Sequence, residues 1–127
     1  MGAWNVSRDF VDNASQEILK FPAGLDAIMS VVVDASTVDA DTNGDRKLVA
    51  GTLLTGPNGD SKYEQYLGTG DVMGVLADDT KFASGDSSGD QPVAMFFHGC
   101  VFRSDRIVDF STYETAARTD LSTCRFD

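Results

Sequence analysis

The chain has 127 residues, 42% of them hydrophobic and eight of them Phe, which is enough for one domain-sized core and too little for two. Its formal charge of −10, with 20 acidic against 10 basic residues, argues against nucleic acid as a partner, because phosphate binding needs Lys and Arg to release counterions. No run approaches the roughly 20 apolar residues of a membrane span, and Met1-Gly-Ala-Trp-Asn lacks the basic and apolar regions of a signal peptide, so a cytoplasmic origin is expected.

Residues 1–28 mix Trp4, Val6, Phe10, Val11, Ile18, Leu19 and Phe21 with polar residues and reach a breaker at Pro22-Ala-Gly24. A short helix over 15–20, capped by Ser15, is compatible with this stretch, but its separate and partly apolar character reads as an arm. Met29-Ser-Val-Val-Val33-Asp34 is β-branched and predicts a strand. Asp39 to Asp45 is an acidic turn around Asn43-Gly44. Strands are then expected over 47–54, 62–67, 72–77 and 92–98, separated by the Gly56-Pro-Asn-Gly59 and Gly68-Thr-Gly70-Asp71 turns and an acidic loop from Asp78 to Asp90. A further strand pair is expected between Cys100 and Phe110. Ser111-Thr-Tyr-Glu114 fits a capping box opening a short C-terminal helix that runs to about Leu121. The fold class that results is mainly β: a small β-barrel or β-sandwich-like domain with a short C-terminal helix and an extended N-terminal arm.

The order of three glycine-punctuated apolar segments carries more than any one of them. They are Leu48-Val-Ala-Gly51-Thr52-Leu53-Leu54, Val72-Met-Gly74-Val-Leu-Ala77 and Val93-Ala-Met-Phe-Phe97-His-Gly99-Cys-Val-Phe102, with Gly59-Asp-Ser-Lys62-Tyr63 between the first two and Asp78-Asp-Thr80 after the second. This succession resembles the head decoration proteins of tailed bacteriophages, the lambda-type family of capsid-stabilising proteins. Over about half of the chain the match extends from a Gly-Thr-aliphatic-Leu strand through a Gly-Lys-Tyr turn, here lengthened, to a Val-rich strand ending in a Gly-aromatic step. The first 35 residues match loosely and the last 20 do not match. The resemblance implies a viral structural (cement) protein, a homotrimer on the outer surface of the virion capsid that binds major capsid proteins after head expansion and is made in the bacterial host cytoplasm. With this resemblance, the composition change at Pro22 to Gly24 divides the chain into a capsid-facing arm, 1–28, and a β-rich trimeric body, 29–127. In it the apolar arm residues Trp4, Val6, Phe10 and Val11 order on a capsid protein by adding a strand to a sheet edge; the alternative is that they pack on their own domain.

Candidate sites of other kinds are thin. Asp39, Asp41, Asn43, Gly44 and Asp45 reproduce the first half of a calcium loop, but Ala50 stands where the bidentate Glu belongs, and Arg46 and Lys47 bring positive charge. A calcium- or carbohydrate-binding β module is therefore the alternative function, separable by a calcium titration of thermal stability. His98 and Cys100 would form a base and nucleophile pair, yet two residues apart on a strand they stand about 6.6 Å from one another. Asp78 and Asp79 could serve acid–base chemistry only if one were desolvated, and their place at a strand end in a Ser/Gly/Asp loop predicts solvation instead. Gly68 to Asp71 lacks the lysine and helix of a phosphate loop. No enzyme, metal or cofactor is expected. Two Cys make no disulfide framework in a reducing cytoplasm; Cys100 is expected to pack as a small hydrophobe and Cys124 to lie at the surface.

Overall fold

A computed structural model of the chain describes residues 18–20, 27–39, 46–82 and 90–127. Its centre is a five-stranded antiparallel sheet in the order β1-β7-β5-β3-β4, built from β1 (Ile28–Val33), β3 (Leu53–Thr55), β4 (Glu64–Gln65), β5 (Gly74–Leu76) and β7 (Gln91–Phe96). Two small pairs flank it: β2 (Arg46–Leu48) with β6 (Thr80–Phe82), antiparallel, and β8 (Val101–Phe102) with β9 (Arg125–Phe126), parallel. The C-terminal helix, α1 (Phe110–Asp120), lies between β8 and β9 in the chain. The mainly β fold with a short C-terminal helix is thus present, while the sheet does not close into a barrel. Its two edges meet at one place, a single parallel bridge between Val33 of β1 and Tyr63, just ahead of β4.

Both faces of the sheet are covered, because side chains on a strand alternate. The register pairs Leu53 with Val75 and Val75 with Phe96, and these three enter one core together with Ile18, Tyr66, Phe102, Ile107, Leu121 and Phe126. Their neighbours Leu54, Leu76 and Met95 face the opposite way and join Val31, Val33, Leu48, Tyr63 and Phe82 in a second core. Gly74 makes that second core possible: a Cβ there would fall 2.4 Å from the Met95 Cγ, so the methionine occupies the space a side chain would take.

Several expectations change in detail. The strand foreseen over 47–54 is two strands, β2 and β3, that join different sheets. Gly51 breaks it with φ +95°, and Thr52 bonds back to the Val49 carbonyl through its N–H (3.2 Å) and its hydroxyl (2.7 Å). Part of the loop expected from Asp78 to Asp90 is β6, since Phe82 is driven into the second core. The strand pair expected over 100–110 reduces to β8, followed by a 3-10 turn at Ser104–Arg106. The capping box at Ser111 does not form. The helix begins at Phe110, after Asp109 in the left-handed region, because the Phe110 ring stacks on Phe126 at 5.1 Å and fixes the entry of the chain; Glu114 pairs instead with Arg118. A helix over 15–20 does not continue past Ile18, for Leu19 bridges Phe102 in extended form.

Candidate interaction surface

The arm residues Trp4, Val6, Phe10 and Val11 lie outside the described residues, as do Pro22 to Gly24 and Asp41 to Asp45. The point at which the N-terminal segment meets the body is described. Ile18 is 2% exposed within the first core, its carbonyl accepts from the Arg103 N–H (2.8 Å), and the Lys20 N–H donates to the Val101 carbonyl (2.8 Å). Ala27 is buried as well, and its carbonyl accepts from the Phe97 N–H (2.9 Å). These parts of residues 1–28 belong to the body's packing.

Strand β1 follows at once and forms an edge of the sheet. The Val32 carbonyl accepts from the Tyr63 N–H (2.7 Å), and the Asp34 N–H donates to the Tyr63 carbonyl (2.9 Å), so this end of the edge is occupied. The alternation of a strand directs the backbone groups of Ile28 and Ser30 to the same side, where no strand follows among the described residues. Ile28, Met29 and Val32 are exposed on this strand. An edge with open backbone groups and exposed aliphatic side chains is a template for another strand. Further exposed apolar side chains are Val49, Leu67 and Met73, with Leu67 the most open at 66%.

The occupied end of the edge is held by polar contacts. Asp90 Oδ1 accepts from the Ala35 N–H (2.8 Å) and its other oxygen pairs with Lys62, while Asn58 Nδ2 donates to Glu64 (3.2 Å). The Lys62 ammonium and the Ala35 N–H hold the Asp90 carboxyl below its usual range, and Asp90 in turn raises Lys62. Asn58 shapes the lengthened turn before Lys62, its side-chain oxygen accepting from the N–H groups of Asp60 (2.9 Å) and Lys62 (3.1 Å).

The remaining sequence candidates separate. Strand β7 ends at Phe96, so His98 is exposed in a turn and the Cys100 thiol donates to the His98 carbonyl (3.5 Å). Asp78 and Asp79 are exposed, and Asp79 accepts from the Ala50 N–H (2.7 Å). Asp39 is exposed, and Arg46 donates to the Ala35 carbonyl (3.1 Å). Cys124, expected at the surface, is buried beside Cys100, because the β8–β9 ladder draws the end of the chain into the first core. Among the described residues no three acidic, His or Cys side chains are grouped to hold a metal, and no helix is long and apolar enough to cross a membrane. A scan against protein-family models and a search of curated proteins both return no match to this chain.

Proposed function

We propose that this chain is a head decoration protein of a tailed bacteriophage. It would bind as a homotrimer to the outer surface of an expanded capsid and bridge neighbouring major capsid proteins, with no catalytic role. The observation that carries the reading is the succession of glycine-punctuated segments. Their apolar cores fall on β3, β5 and β7, three adjacent strands of one sheet, and Lys62-Tyr63 leads into β4 beside them. The likeness therefore runs along a contiguous scaffold. Supporting it are the net charge, unsuited to nucleic acid, and the open apolar edge of β1 downstream of the N-terminal segment.

The mechanism is linkage: a protein that binds only the expanded lattice stabilises it by mass action. Joining three binding segments on one trimer adds avidity to contacts that are weak singly. With Ile18 committed to the body's core, the capsid-binding arm comprises residues 1–17, including Trp4, Val6, Phe10 and Val11. Light scattering over a dilution series, followed by co-sedimentation with expanded phage heads, tests this. A mass of about 41 kDa, three copies of 13.6 kDa, with head binding that disappears on deletion of residues 2–17, is the expected result. A strict monomer that ignores heads, or full head binding by the truncated chain, overturns the trimer or the arm assignment respectively.

A further inference from the structure

Cys100 and Cys124 bracket the start of the parallel ladder. Val101 pairs with Arg125 and Phe102 with Phe126, so the two cysteines are the next pair back in register, and the Arg125 N–H donates to the Cys100 carbonyl at 2.9 Å. Neighbouring strands lie roughly 4.8 Å apart, inside the window of about 4.4–6.8 Å between Cα atoms that a disulfide spans. Alternation sends both side chains to the buried side shared by Phe102 and Phe126, and both cysteines are in the first core. We propose that Cys100 and Cys124 are a covalent modification site: a reversible intramolecular disulfide that clasps the C-terminal strand β9 to β8, open in reducing surroundings and closed in oxidising ones.

The surroundings of the pair suit thiol exchange. The Cys124 thiol is pushed down to about 6, first by the neighbouring Cys100 side chain and then by the Cys100 N–H, the Thr123 hydroxyl and the Gly99 N–H, against the opposing effect of burial. The exposed His98–Gly99 turn lies over the site, and the Gly99 N–H donates to Thr123 Oγ1 (3.2 Å). Cys124 is the more open of the two sulfur residues, at 9% against 2%, and is the attacking group. Its thiolate displaces one thiolate from a small-molecule disulfide such as oxidised glutathione and forms a mixed disulfide. The Cys100 thiol then loses its proton to solvent and attacks the Cys124 sulfur, expelling the second small thiolate. One S–S bond breaks and one forms; the protein gives up two electrons and two protons, and the reagent becomes two thiols. A thiol pair that is open in reducing surroundings and closed in oxidising ones would thus tighten the chain's end wherever the surroundings turn oxidising. This assignment stands independently of the function proposed above.

The test is incubation of the native full chain with excess oxidised glutathione, then trapping of thiols by alkylation, non-reducing peptide mapping and a melting curve. Expected are a Cys100–Cys124 cross-linked peptide, loss of both alkylatable thiols, and a Tm higher by roughly 10 °C than in a phosphine-reduced sample. The Cys100→Ala and Cys124→Ala variants should show no such shift; mapping of the wild-type chain decides the question even if either variant fails to fold. Thiols that stay alkylatable in the native chain, glutathione adducts or intermolecular dimers in place of the internal bond, or a bond without a change in Tm each overturn the proposal.

Discussion

Replacing Gly51 by Ala should destabilise the body severely, although the change adds only one methyl group. Gly51 sits where the chain leaves β2 for β3, with φ +95°, a conformation that costs an L residue about 1–3 kcal/mol. Its added Cβ would lie 2.2 Å from the Arg106 carbonyl oxygen, which is backbone and cannot rotate away. Relief requires moving residues 106–108 off the sheet, and the Val108 N–H bond to the Gly51 carbonyl (3.1 Å) and the Gly51 N–H bond to Leu76 (2.9 Å) resist this. Overpacking of this kind adds about 1–3 kcal/mol, for a total of about 2–6 kcal/mol. That is a large share of the roughly 5–15 kcal/mol that holds a domain. Gly59→Ala is the matched control: its Cβ would meet nothing within 4 Å and its φ is not in the left-handed region, so the effect should stay within about 0.5 kcal/mol or be slightly stabilising. Urea unfolding of the three proteins side by side measures both. A Gly51→Ala loss below about 1 kcal/mol, or equal losses at the two glycines, would refute the assignment of Gly51 as the pivot between the two sheets.

Two further perturbations address the core and the charges. Phe102 is fully buried, stacks on Phe126 at 5.2 Å and meets Phe96 edge-on at 6.1 Å, so Phe102→Ala should cost about 3–5 kcal/mol by urea denaturation. A value near that of a surface substitution would show that the first core packs otherwise. Asp90 has a folded pKa lowered by Lys62 and the Ala35 N–H, so its contribution is present above the unfolded carboxylate value of 3.8 and is lost as pH falls through the lower folded value. The Tm difference between wild type and Asp90→Asn should therefore vanish on acidification below that range; a difference that persists unchanged in acid would contradict the pairing.

How much of this was legible in the sequence depended on how local each signal was. β1, β5 and β7 are apolar runs bounded by turn residues, and each forms within a residue or two of its expected place. Gly51 reads as one glycine inside a strand, since Leu48 to Leu54 is apolar but for Gly51 and Thr52; only the approach of Arg106, distant in the chain, turns it into a break. The capping signal at Ser111 is a contribution of about 1 kcal/mol, outweighed by the stacking of Phe110 on Phe126 and the placement of Arg118 over both rings, at 5.4 and 5.9 Å. The parallel pairing of β8 with β9 joins segments on either side of the helix, and two-residue strands carry no periodicity to read. Cys124 was consequently placed at the surface. Asp90 likewise looked like one more acid in a solvated loop, and its role depends on Ala35 and Lys62 meeting it from two other segments.

Strand β8 is where the two ends of the described body converge. Its Val101 carbonyl holds the Lys20 N–H on one side, its Phe102 carbonyl holds the Asp127 N–H on the other, and Lys20 Nζ closes the circuit to Asp127 Oδ2 at 3.2 Å. The ion pair itself is exposed and contributes little; the shared strand is what matters, because Leu19 and Phe126 both register on Phe102. The stretch Ile18 to Lys20 is therefore rooted against the same two residues that carry β9. If an arm transmits load from a partner, that load reaches β8 first and the first core next, and the ladder with β9 resists peeling of β8 from its other side. A covalent link at Cys100 and Cys124 would act on that ladder at its first pair, where shearing begins. The root of the N-terminal segment and the C-terminal strand are thus one mechanical unit, and the paired cysteines sit at the position where one bond stiffens both.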